Sequence, residues 1–337
     1  MAKLDIALEL GTSFTSIFVQ GNNIVLHEPS AIAFYEKGNG NSLCAVGGEA
    51  YDLLGKGNDK TKIVCPIVEG VIKYPDECAL MLGEFIKRVL PESYVFKPRI
   101  SAILGMPTGV SVDQRRMYED VLRRAGINEV TMVDNCMLAA IGAELNVRHN
   151  YGGTVVSIGG GVTEMAVVGL CGLIDGMAMN VGGDMMDRAL LDMLCGYYHM
   201  NIGKSSTRKL KEHIASLIRN DCMTERISGK DIQNHRSYVN NMSADLLYPV
   251  LYDYYMNIIH AVSDLVNSCS PAIVAEIQNS GITVVGGGAK IPGLAELMSK
   301  QLGLAVTVAD SPEYATVYGA GKLLSNDALL NEILDNL

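Results

Sequence analysis

The fold turns on residues 154–170, TVVSIGGGVTEMAVVGL, in which an apolar strand runs into three glycines and a second apolar strand leaves them. Residues 4–20, LDIALELGTSFTSIFVQ, read the same way: strand, glycine turn with hydroxyls, strand. Short apolar runs broken by a glycine turn are the pattern of β-hairpins. The two hairpins lie about half a chain apart, which predicts two similar halves and disfavours a short-period solenoid.

Between the hairpins the pattern changes to α/β. Residues 77–90 carry apolar side chains at 81, 82, 85, 86, 89 and 90, the stripe of an amphipathic helix, with Pro91 after its end. A second helix starts at Ser111, with Gln114 three residues on as in a capping box, and ends before Gly126. Strands are expected at 99–107 and 127–135 on either side of it, a parallel strand–helix–strand unit. The second half adds helices near 184–199, 204–219 and 248–268, then GITVVGGGAKIPGLAELMSKQLG (281–303) as strand, triple-glycine turn and helix. The strand AVTVAD (305–310) precedes SPEYATVYGAGKLL (311–324), a helix rich in small residues that suits tight packing on a neighbour. The tail 326–337 has helical apolar spacing and negative charge, which favours docking on the body over binding lipid.

Composition narrows the class. The chain has 337 residues, enough for about two domains. With 48% hydrophobic and 19% charged residues it can bury a large core. A formal net charge of -10 gives no field that would gather nucleic acid, so no nucleic-acid partner is expected. Its apolar runs are too short to span a bilayer, and the first residues read at once as a strand, so the protein is expected in the cytoplasm. The eight cysteines lack a C-x-x-C pair and read as reduced thiols. The six histidines lack ligand spacing.

Three glycine turns, at 11–14, 159–162 and 286–290, each follow an apolar strand. Glycine lets the backbone approach a ligand, and successive N–H groups form an anion nest. In the third, the helix expected to follow would add its N-terminal partial charge. Turns of this kind are also ordinary structural features; three of them spread over two halves favour a nucleotide held in a cleft.

These segments together resemble the actin superfamily, most closely the bacterial MreB/Mbl-like cell-shape actins. ALELGTSFTSIFV (7–19) is similar to the first phosphate hairpin and SIGGGVTEMAV (157–167) to the second. GITVVGGGAKIPGL (281–294) resembles the adenosine turn, and NCMLAAIGAELNV (135–147) the linker helix. HEPSAIA (27–33), AVGGEAYDLLG (45–55), CPIVEGVI (65–72), VFKPRISAILGMPTGVSVDQRR (95–116) and VGGDMMDRALL (181–191) match further family segments in order. The resemblance implies an α/β fold of two ribonuclease-H-like domains, each with a smaller subdomain and a nucleotide cleft between them. Domain I would be 1–140 with 310–337, subdomain IB about 31–67; domain II would be 141–309, subdomain IIB about 180–242. It further implies ATP or ADP with Mg²⁺ and self-assembly into filaments on the inner face of the cytoplasmic membrane. Cell-wall synthesis or cell-shape membrane proteins would be further partners. The chain is too short for a heat-shock chaperone of this superfamily, and neither hairpin supplies the aspartate that a small-molecule kinase would aim at a hydroxyl.

The resemblance assigns nucleotide contacts to Gly11, Thr12, Ser13 and Phe14, to Gly159, Gly160 and Gly161, to Arg208 and Lys211, and to Gly286, Gly287, Gly288, Ala289 and Lys290. Several family polar groups are altered here. Glu9 replaces an aspartate, keeping the charge that would hold Mg²⁺ directly or through water. Phe14 replaces an asparagine. Ser157 replaces the aspartate of the second hairpin, and Val162 replaces a threonine of the bacterial homologues. Asn135-Cys136 replaces Glu-Pro in the linker helix, and an amide is a poor general base. Arg208 replaces a glutamate beside the ribose and is within reach of phosphate by side-chain length. Catalytic positions 135, 157 and 162 are thus all changed, which implies nucleotide binding with weakened hydrolysis; unchanged turnover through compensating neighbours is the other reading. A hydrolysis-deficient partner that copolymerises with or regulates a conventional paralogue is the alternative function. In the loop 91–99, Tyr94, Val95 and Phe96 stand where MreB proteins carry membrane-entering residues, with Lys97 and Arg99 beside them for anionic lipid. Phe96 equally suits the start of the buried strand.

Overall fold

The structure is a computed structural model that describes residues 3–37, 40–54, 60–90, 98–234 and 236–336. The loop residues Tyr94, Val95 and Phe96 lie outside the described residues.

The two halves carry sheets of the same topology. The first sheet has the order Glu129–Asp134, Arg99–Met106, Lys3–Leu10, Phe14–Val19, Asn23–Pro29. Its hairpin pairings are antiparallel, and its two pairings on the other side of Lys3–Leu10 are parallel. The second sheet repeats this with Val306–Val308, Ile282–Val285, Gly153–Ile158, Thr163–Gly169 and Gly172–Met179. Each half also carries a small three-stranded sheet in the same place in its chain order. One is built from Ile32–Lys37, Gly40–Val46 and Thr61–Val64, the other from Met200–Asn201, Thr224–Asp231 and Ser237–Ser243. The expectation of two similar halves opening on the same hairpin therefore holds.

Local signals explain the helices. Ser111 caps the helix Val112–Ala125, its hydroxyl accepting from the Gln114 N–H while the Gln114 side chain bonds back, and the helix closes at Gly126 in the left-handed conformation. The amphipathic helix Pro75–Val89 starts with proline in its first turn and buries Met81, Leu82, Phe85 and Ile86. Two expected helices differ. The one expected over 204–219 ends at Ile214, because the chain beyond turns to bond the Leu217 N–H to the Pro292 carbonyl. The helix after the third glycine turn starts only at Leu294, and Gly287–Lys290 forms a short 3-10 turn instead. Pro292 and Gly293 separate the two, so the expected helix N-terminus does not stand at that turn.

A core of its own fills each half, and a third lies between them. Ala7, Ile103 and Val133 of the first sheet and Val155, Ala166 and Val285 of the second enclose the linker helix Asn135–Gly142 and the small-residue helix Ala315–Leu323. These helices cross with backbones touching. A Cβ on Gly319 would run into the Leu138 carbonyl oxygen, and one on Gly142 into that of Ala315. The tight packing read from the small residues is present, at the junction of the halves. Gly319→Val is expected to lower stability by about 1–3 kcal/mol or more, because neither backbone can yield without prising the halves apart. Thermal unfolding checks this. The C-terminal helix Asp327–Leu334 docks as expected, with Ile333 buried and Glu332 paired to Arg148 at 2.7 Å.

Candidate nucleotide cleft

Each hairpin turn closes with the same bond. The Gly11 N–H donates to the Phe14 carbonyl at 3.0 Å, and the Gly159 N–H to the Val162 carbonyl at 2.9 Å. The tips meet face to face: a Cβ on Gly160 would strike Ser13, and one on Gly161 would strike Thr12. Glycine is required here because the two halves approach too closely for a side chain. Behind the tips opens a cavity of about 530 Å³, within the size range of small-molecule sites. Residues 9–14, 159–162 and 286–288 form much of its wall, together with Arg208, Lys211 and Lys290.

Most of the residues assigned from the sequence thus converge on one cleft. Ala289 is the exception: its methyl group is buried in the second core and does not line the cavity. Phe14 stacks on His27 with ring centroids 4.5 Å apart. Lys290 lines the cleft but is paired to Glu313 at 2.7 Å. Val162 lines it too, and packs against Gly70.

Arg208 does something other than reach outward for phosphate. Its guanidinium pairs with Asp184 and, at 3.2 Å, with Asp187 in its own half. From there it donates to the Ser13 hydroxyl at 3.0 Å and lies 5.0 Å from the Tyr51 ring centroid, both in the other half. Ser13 in turn donates to Asp184 at 3.0 Å. Opposite charges and a cation–π contact therefore join the halves over the cleft. Lys211 supports the same cluster, with its ammonium 2.7 Å from Asp187 and 2.8 Å from the Gly183 carbonyl.

The floor is acidic. Glu9 faces the cavity, and burial, with the nearby charge of Glu164, pushes its carboxyl up to about 8. The Asn135 amide nitrogen donates to Glu164 at 2.9 Å. Glu164 also accepts the Thr108 N–H at 2.6 Å and is 4% exposed. Burial raises its carboxyl above the usual range. Glu164 is not among the residues expected at the site; its signal in the sequence is a charge inside the largely apolar strand Thr163–Gly169. Among the described residues no cluster of three or more His, Cys, Asp or Glu could cage a metal ion. Mg²⁺ does not need one, since it is commonly held by one or two carboxylates, waters and phosphate oxygens. Glu9, which lines the cleft, fits that role; Ser157, which also lines it, brings no charge.

Paired sheets of one topology, joined by crossing helices and divided by a cleft between glycine hairpins, define an actin-like protein. The chain matches the profile of the family described as MreB/Mbl protein over residues 3–332. It is 31% identical over 323 residues to the cell shape-determining protein MreB of Escherichia coli strain K12, covering 95% of this chain and 93% of that one. It is 28% identical to the cell shape-determining protein Mbl of Bacillus subtilis strain 168 over 324 residues, 96% of each. A crystal structure of MreB5 of Spiroplasma citri bound to AMPPNP superposes with a TM-score of 0.89 at 25% identity over the whole of both chains. A MamK double helical filament shares the fold, with a TM-score of 0.81 at 18% identity over 96% of this chain and 99% of that one. The chain belongs to the MreB/Mbl family.

Proposed function

We propose that this chain binds ATP or ADP between its two hairpins, with Mg²⁺ at Glu9, and assembles with copies of itself into filaments that organise cell shape or wall synthesis. The observation that carries this reading is the pair of identically closed glycine turns, tip to tip beside a cavity of about 530 Å³. Supporting it, related structures hold AMPPNP and ADP at this fold, and a more distant one is a filament. The domain boundaries proposed are 1–140 with 310–337 and 141–309, the inserts being about 31–67 and 180–242. The hinge is then the crossing of the helices Asn135–Gly142 and Ala315–Leu323.

The filament is proposed to lie in the cytoplasm on the inner membrane face, through residues 94–96. No helix among the described residues is long and apolar enough to cross a membrane, so attachment would be peripheral and multiplied along the filament. Hydrolysis is proposed to be slow, because Ser157 carries no charge and Asn135, as an amide, is a poor general base. The same observation favours a second reading, a partner that copolymerises with a conventional paralogue. Electron microscopy of the purified protein with ATP and vesicles containing anionic lipid tests both. Filaments on vesicles are expected. Filaments only when a conventional paralogue is added would support the second reading, and none in either mixture would contradict both.

A further inference from the structure

The two hairpins match rung by rung. Glu9 lies directly across from Ser16 in the first, and Ser157 directly across from Glu164 in the second. All four line the cavity. Each hairpin thus presents one carboxylate and one hydroxyl on the same rung, with the two exchanged between strands. The second hairpin, which lacks an acid on its first strand, has one across the ladder.

We propose that Glu164 is the proton acceptor for the attacking water in this cleft, and that Asn135 and Thr108 are positioning residues that aim it. The inference rests on the reading of the cleft as a nucleoside triphosphate site. The carboxylate is fixed from two sides: one oxygen accepts the Thr108 N–H and the other the Asn135 amide. Each oxygen keeps a lone pair for water. Thr108 is itself held by its hydroxyl on Asp134, the N-cap of the linker helix, so the orientation is set by the junction of the halves. In the reaction a water oxygen forms a bond to the γ-phosphorus and the bond from phosphorus to the bridging oxygen breaks. The electron pair of that bond stays on the β-phosphate of the diphosphate, and the water proton passes to Glu164. Glu164 then releases it to solvent, and inorganic phosphate leaves.

The test uses the full chain in single-turnover phosphate release with protein in excess of ATP, beside equilibrium binding of a fluorescent ATP analogue. Glu164→Gln keeps the size of the side chain and removes the proton acceptor. It is expected to bind the analogue as the wild type does and to release phosphate about 10²-fold more slowly, within the range of general acid–base effects. Glu164→Asp is expected to recover part of the rate at unchanged affinity, which a purely structural role would not produce, and it decides the matter if the glutamine variant does not fold. Unchanged release by the variant that folds, with binding intact, would overturn the proposal. Wild-type protein that binds the analogue but releases no phosphate would overturn it too, while leaving the nucleotide site standing. Wild-type protein that binds no analogue would overturn the reading of the site itself.

Discussion

Ser157→Asp combined with Asn135→Glu is expected to raise phosphate release by about 10²-fold, the low end of what a positioned acid–base group contributes. Phosphoryl transfer is catalysed mainly by placement and electrostatics, so two side chains can carry such a gain if the backbone cradle is already present. Both hairpin turns close identically and their tips meet, as such a cradle requires. Asn135→Glu would put a second carboxyl where the amide now touches Glu164, at 2.9 Å. Two buried carboxyls that close cannot both ionise readily, so they would share a proton, and the new carboxyl would add a second acceptor for water beside Glu164. Ser157→Asp adds a carboxylate to the cavity wall that Glu9 also lines. A steady-state phosphate assay checks the prediction. A double variant no faster than the wild type, yet still binding ATP, would show that these positions do not limit turnover.

Arg208→Met is expected to destabilise the protein by about 3 kcal/mol, the low end for breaking a buried ion pair. The low end applies because Asp184 is 37% exposed at its side chain and Lys211 still neutralises Asp187. The larger consequence is mechanical. The variant loses the charge-assisted bond to Ser13 and the contact with Tyr51, both of which cross the cleft. A bond to a charged group contributes about 1.5–3 kcal/mol, so the equilibrium between closed and open clefts should shift about tenfold to a hundredfold. Dissociation of a fluorescent ADP analogue, followed by stopped flow, should quicken by a similar factor. An unchanged rate would mean that Arg208 stabilises one half without latching it to the other.

Much of this architecture was legible in the sequence because it rests on local signals. The hairpin turns, the Ser111 cap and the small-residue helix are each written within about a dozen residues, and each stands where expected. What was not legible depends on contacts between distant segments. Arg208 meets Ser13 across 195 positions, and no local pattern says that its charge is spent on Asp184 and Asp187 before any phosphate could claim it. Asn135 was readable as a lost base, but its service to Glu164 depends on two hairpin strands and a helix meeting at the floor. Ala289 follows three glycines in the turn, yet its methyl group belongs to the core of the second half. The third glycine turn ends in a short 3-10 segment because Pro292 and Gly293 delay the helix to Leu294.

The most direct test of the central claim is co-sedimentation of the purified protein with ATP, with released phosphate counted in the same tube and AMPPNP as the parallel sample. Similar amounts of polymer in both samples, with phosphate well below the amount of polymerised protein, are predicted for a chain that assembles on nucleotide binding and hydrolyses slowly. Polymer with neither nucleotide, or polymer only where phosphate release keeps pace with assembly, would contradict it.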